Sequence, residues 1–304
     1  MSKQNYIEEN DLLNASEPVS VDNLKTIIEQ IEKSICKIKC NNEGNGTGFF
    51  CLIPFPDNFN LLPVLITNNH VIEKKDISNG KIIKFSINNE KKFFEITIDS
   101  SRKTYINEKY DIAIIEIKKT DNLNFNDFLE IDENIFKGNL NDVYSQKSVY
   151  LIYYPYGKKG SFSYGVIKNI NEDKYIIEHL CPSKPGSLGC PIINLNNNKV
   201  IGIHKGSNIK NGNEGTFIKE PLEKFYEENY NNKKENDEIN EVKKDKNNTD
   251  TDDKKGKNDY NEIEDNSDDD DYIESIEYLP KDYSDYDLYF KIIIIGNSGK
   301  IIDI

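Results

Sequence analysis

Apolar positions recur along this chain with two different periods. In "VDNLKTIIEQIEKS" (21–34), Leu24, Ile27, Ile28 and Ile31 lie three and four residues apart, which predicts an amphipathic helix capped by Ser20 or Asp22. Beyond it the period shortens to that of strands. "SICKIKC", "GTGFFCLIP", "LPVLITN", "GKIIKFSI", "KKFFEITI" and "YDIAIIEI" are β-rich runs set between Gly, Asn and Pro turns. A second set follows: "SVYLIYY", "SFSYGVIKNI", "KYIIEHL", "CPIINL", "KVIGIH" and "GTFI". "KEPLEKFYEENY" then predicts a closing helix with Pro221 in its first turn. Two groups of strands with few helices predict an all-β fold of two barrels or sandwiches. The close, regular spacing of the runs fits antiparallel hairpins better than βαβ units.

The same pattern divides the chain. Residues 1–20 are polar and expected to be flexible. A folded domain is expected over 21–229, its first barrel at about 34–120 and its second at about 147–220. From 230 to 287 apolar residues almost vanish, so this segment cannot bury enough surface to offset its ordering entropy and is expected to be a disordered acidic tail. Residues 288–304, "LYFKIIIIGNSGKIIDI", begin as a buried strand would and continue like a phosphate loop. Gly296-Asn297-Ser298-Gly299-Lys300 is two residues short of a Walker A loop, and Ile301 stands where the Mg²⁺-binding hydroxyl belongs. The stretch resembles the first strand of Rab-like small GTPases and is taken as a degenerate remnant, without a nucleotide.

Composition narrows the function classes. Charged residues at 30% against 36% hydrophobic ones agree with a chain that is not packed throughout. A formal charge of −14 argues against nucleic-acid binding, which needs clustered Lys and Arg. The N-terminus has no apolar h-region and no run has the length of a membrane span, so neither secretion nor membrane insertion is expected. Cys36, Cys40, Cys51, Cys181 and Cys190 form no Cys-x-x-Cys pair; free thiols in a reducing, cytoplasmic setting are the expectation. None of the three histidines lies at metal-ligand spacing, so neither metal nor cofactor is expected. The run Asp268–Asp271 is expected to be a solvated part of the tail, with loose contact to a basic partner as the alternative.

Three stretches carry chemistry. "LLPVLITNNHVI" ends a strand in a turn that presents His70. In "EKYDIAIIEI", Asp111 opens a strand. "CPSKPGSLGCPIINLNNNKVIGIHKGS" contains a glycine-flanked turn. His, Asp, nucleophile turn is one of the known chain orders of a hydrolytic triad, in which the histidine takes the nucleophile's proton, the aspartate fixes its tautomer, and backbone N–H groups hold the oxyanion.

On these residues the chain resembles trypsin-like, chymotrypsin-fold serine peptidases, especially glutamyl endopeptidases, over about 34–228. "GTGFFCLI", "TNNHVI", "YDIAIIEI" and "PGSLGCPIINLNNNKVIGIHKGS" resemble the family's successive motifs. The resemblance implies two perpendicular six-stranded barrels with the site between them. It makes His70 the general base, Asp111 its orienting partner and Gly186 an oxyanion donor. It also makes His204 a reader of acidic side chains, helped by hydroxyls such as those of Ser183 or Thr216. His179 is read as structural.

One position departs from the family. Counted from Gly189-x-Pro191, the nucleophile position holds Leu188, which cannot form an acyl-enzyme. The sequence therefore points to a peptide- or protein-binding homologue with an impaired site. Two alternatives stay open. One is an active endopeptidase cleaving after Glu or Asp, using Ser187 or a serine at 188 in an active allele. The other is an interaction module acting through its acidic tail.

Overall fold

The computed structural model describes residues 17–39, 45–56, 60–208 and 212–230. The expected flexible segment up to 16, the acidic tail and the 288–304 end lie outside the described residues.

Helix α1 (Val21–Lys33) starts where the pattern predicted, with the Ser20 hydroxyl accepting from the Asn23 N–H at 3.1 Å. Its predicted apolar face is only partly used. Ile27 is buried, but Leu24 and Ile28 remain 38% and 49% exposed. Polar contacts roll the helix: the Asn23 amide donates to the Leu195 carbonyl and the Gln30 amide to the Asn198 carbonyl, both at 3.2 Å.

Eight strands form the first sheet. They are β1 (Ile35–Lys39), β2 (Asn45–Pro54), β3 (Leu61–Thr67), β4 (Ile82–Ile87), β5 (Lys92–Thr97), β6 (Thr104–Asn107), β7 (Ile112–Glu116) and β8 (Leu129–Glu130). Their order is β5-β4-β1-β2-β3-β7-β6, and β8 pairs in parallel with Cys51 and Leu52 of β2. This sheet curls without closing, and Phe93 on the edge strand β5 is exposed. After the short helix α2 (Leu140–Tyr144) come β9 (Ser148–Tyr153), β10 (Ser161–Asn171), β11 (Ile176–His179), β12 (Pro191–Asn194), β13 (Val200–Asn208) and β14 (Gly212–Phe217). They close a barrel in the order β10-β11-β14-β13-β12-β9. Residues 219–230 are helical (α3). The fold is the expected all-β one with two barrel-like sheets, of which the second is closed and the first is a half-barrel. No helix among the described residues is long and apolar enough to cross a membrane.

The central strands of the first sheet are buried on both faces, which is why they read as continuous apolar runs. Phe49, Cys51, Val64, Ile66, Ile112 and Ile114 join the core shared with the closed barrel. Their neighbours Phe50, Leu65, Ala113 and Ile115 pack inside the half-barrel. A buried ion pair staples the rim of that half-barrel. Arg102 pairs with Asp121 at 2.7 Å and also donates to the carbonyls of Thr97 (3.1 Å) and Glu116 (2.6 Å). In the closed barrel, His179 on β11 and His204 on β13 are buried, with His179 Nε2 and His204 Nδ1 3.2 Å apart. Burial, and then the neighbouring His204, pushes His179 down to about 3; burial pushes His204 down to about 4.

Two predictions follow from these buried groups. Arg102→Met leaves the Asp121 carboxylate buried without its partner and is expected to cost about 3–5 kcal/mol in urea unfolding; a loss below about 1 kcal/mol would count against the staple. The histidine pair makes stability depend on pH. Unfolded imidazoles titrate near about 6.5, whereas the folded pair stays neutral to about 4 and about 3. The stability gained is full above the unfolded value and is lost as pH falls through this window, because the unfolded chain then binds protons that the folded one excludes. The urea midpoint should therefore fall less steeply from pH ~6.5 to ~4 in a His179→Gln/His204→Gln double variant than in wild type. Equal slopes would refute the assignment.

Candidate active site

The first half of the site grows from the end of β3. Asn68 is buried, and its carbonyl accepts from the N–H groups of Val71 and Ile72, both at 3.1 Å. This tight turn presents His70, whose side chain is 43% exposed. The Asn68 amide also donates to the Asp111 carbonyl at 2.7 Å, tying the turn to the start of β7. Asp111 sits at φ 49°, a left-handed conformation that Asp tolerates better than most residues. Its carboxylate accepts from the His70 backbone N–H (3.1 Å) and from His70 Nδ1 (2.8 and 3.0 Å to the two oxygens). A carboxylate only accepts, so Nδ1 carries the proton and Nε2 faces away from Asp111.

The second half is the turn at 185–190, between β11 and β12. Gly186 and Gly189 have φ 98° and 86°. A Cβ on Gly186 would lie 2.3 Å from the Tyr154 carbonyl oxygen, and one on Gly189 2.2 Å from that of Thr47. Both positions therefore demand glycine, for conformation and for space. Thr47 of β2 holds the turn: its hydroxyl donates to the Gly186 carbonyl at 2.6 Å and its N–H to the Leu188 carbonyl at 3.1 Å. The Thr67 hydroxyl donates to the Thr47 carbonyl at 2.8 Å. The strands that carry His70 thus also carry the clamp on the turn.

The turn's own hydrogen bonds orient two N–H groups. The Pro185 carbonyl accepts from the Tyr156 N–H (2.6 Å), and the Ser187 carbonyl from the Cys190 N–H (3.1 Å). Each peptide is trans and planar, so the N–H groups of Gly186 and Leu188 point the opposite way. Neither has a protein acceptor among the described residues. Leu188 is half-buried, and a Cβ on Gly206 of β13 would lie 3.9 Å from its Cδ2. Ser187 is 3% exposed and makes no hydrogen bond with His70. Cys190 is buried, which pushes its thiol well up and away from nucleophilic use.

The residues singled out for recognition lie on and beside β13 and β14, with their polar atoms engaged. His204 is buried against His179. The Thr216 hydroxyl donates to the Tyr110 carbonyl at 2.7 Å. The Ser183 hydroxyl lies 2.9 Å from Asn213 Oδ1, and the Asn213 amide donates to the Cys181 carbonyl at 2.5 Å. Lys205 Nζ donates to the Lys109 carbonyl at 3.3 Å, so both β13 and β14 brace the segment that leads into Asp111. Sequence reasoning missed Thr47, whose only signal is its place in "GTG", and it missed the partner of His179, for which strand order across β14 is needed. Among the described residues no cluster of His, Cys, Asp and Glu has the form of a metal site.

What the arrangement can do is set by its parts: an oriented imidazole, two N–H groups without a protein acceptor among the described residues and an aliphatic residue at position 188. Residues 46–203 match a family model described as a trypsin-like peptidase domain. Solved structures of similar shape include the serine endoprotease from Yersinia pestis (16% identity, 69% of this chain and 68% of that one covered, TM-score 0.48). Deg5 (19%, 68% and 95%, 0.48) and the inactive form of Rv3671c from M. tuberculosis H37Rv (18%, 68% and 92%, 0.46) are others. No curated protein matches the chain. The matched family segment spans more than half of the sequence and takes in His70, Asp111 and the whole 185–191 turn, so the chain belongs to the trypsin-like peptidase domain family.

Proposed function

We propose that this chain is a serine peptidase homologue that binds peptides or proteins at the site between its two sheets, with hydrolysis impaired by Leu188. The observation that carries the reading is the turn itself. Gly186 and Gly189 hold the left-handed conformations, Thr47 clamps the carbonyls, and His70 is oriented by Asp111, yet Leu188, the residue that directly precedes Gly189, has no hydroxyl. Acyl transfer needs a nucleophile, and in a related triad system removing the serine costs ~10⁶ in turnover. Ser187 does not fill the gap in this geometry, because its side chain is buried and has no hydrogen bond with the imidazole.

The pocket that the resemblance assigns to acidic side chains is met by two imidazoles that burial keeps neutral. A charge-based preference for Glu or Asp is therefore not part of the proposal. Peptide binding is the part of the family's function that the remaining groups can still perform.

A fluorophosphonate probe tests the reading directly. Wild-type protein is expected to stay unlabelled. Leu188→Ser is expected to label at residue 188 and to cleave a denatured protein substrate at least ~10³-fold faster than wild type. Wild-type labelling at Ser187 would overturn the impaired reading. An unlabelled but folded L188S protein would show that more than the nucleophile is missing.

A further inference from the structure

We infer that the site recognises the free C-terminal carboxylate of a peptide, a ligand class that rests on the peptide-binding reading above. The geometry points to it by what the turn leaves unsatisfied. The N–H groups of Gly186 and Leu188 face away from the bonds that fix their peptides and have no protein acceptor among the described residues. His70 presents Nε2 on the side away from Asp111. The turn and the histidine are held together. A Cβ on Gly189 would lie 2.6 Å from Thr67 Oγ1 and 3.2 Å from the Asn68 nitrogen, two residues before His70.

A peptide that runs on through the site presents a carbonyl with a single oxygen, which uses the N–H pair and offers nothing to His70. A terminal carboxylate has two oxygens and a full charge. One oxygen can accept from the N–H pair while the other faces His70 Nε2; binding then takes up one proton from solvent, so that Nε2 donates to the carboxylate while Nδ1 still donates to Asp111, giving charge-assisted hydrogen bonds. Capture of C-terminal carboxylates by backbone N–H groups is a recurrent recognition mode. Leu188 favours this ligand further. It offers no hydroxyl to compete for Nε2. The chain as a whole carries −14, so attraction of an anion must come from these local donors and not from the overall field.

The test uses full-length protein and two fluorescein-labelled peptide pools, both randomised over their last four positions. One pool ends in a carboxylate and the other in a carboxamide. Both contain Asp and Glu side chains, so any difference reports on the terminus. Fluorescence polarisation is expected to show the acid pool binding at least ~10-fold tighter than the amide pool. His70→Ala is expected to bring the acid pool down to the affinity of the amide pool, with its fold checked by near-UV circular dichroism. Equal binding of both pools to wild type would overturn the inference and leave peptide binding standing. No binding of either pool would overturn both. An acid preference that survives in folded H70A would place the carboxylate elsewhere and also overturn it.

Discussion

The backbone of Gly189 lies so close to the Thr47 carbonyl that no side chain fits between them, and the site depends on that approach. It is a contact between the two halves of the molecule: Thr47 belongs to the half-barrel, and the turn belongs to the closed barrel. Two hydrogen bonds from Thr47 fix the carbonyls of Gly186 and Leu188, and Thr67 fixes Thr47 in turn. Since β2 and β3 pair along their length and β3 leads into the His70 turn, the imidazole and the glycine turn share one frame. A shift of one sheet relative to the other would move the turn off its clamp. Catalytic and binding geometries tolerate errors of only ~1 Å, so this backbone contact does more for the site than any side chain in it.

The bracing of Asp111 follows the same logic from the other side. Thr216 and Lys205 of the closed barrel hold the carbonyls of Tyr110 and Lys109, and Asn68 of the half-barrel holds that of Asp111 itself. The left-handed conformation of Asp111 is thereby determined by three strands' worth of partners. Strained backbone of this kind persists where the surroundings over-determine it. His204 stays out of this frame. It is the neighbour of Lys205 on β13, but its ring is engaged with His179, and burial of both rings favours a neutral pair over a charged receptor.

Much of this was legible in the sequence, for identifiable reasons. Twelve of the strands correspond to apolar runs readable by eye, because each is long enough to show its period or is buried on both faces. The two that escaped, β6 and β8, have four and two residues, too few to show a period. The helix was legible and its buried face only partly so, since contacts of Asn23 and Gln30 with the distant 195–198 turn set its roll. His70, Asp111 and the glycine turn stood out because each lies in a local motif. Thr47 and the His179–His204 pair did not, because their roles exist only once distant strands are adjacent. The open edge of the first sheet was equally invisible, as closure depends on strand order and not on any one strand.

Leu188 is consistent with the rest of the site because the turn makes no use of the residue's side chain. The hydrogen bonds that shape the turn run through its backbone, through Thr47 and through two glycines whose conformations are independent of what stands between them. The same holds for the His70–Asp111 pair. Asp111 is nearly buried, and the partners that satisfy it, including the His70 backbone N–H, also fasten β7 to the end of β3. Removing that carboxylate would leave donors without acceptors, a cost borne by the fold whether or not any bond is ever cleaved. The geometry of the turn and of the His70–Asp111 pair thus does not depend on the side chain at position 188. The His–Asp pair and the glycine turn are supported by folding energetics, whatever chemistry the site performs.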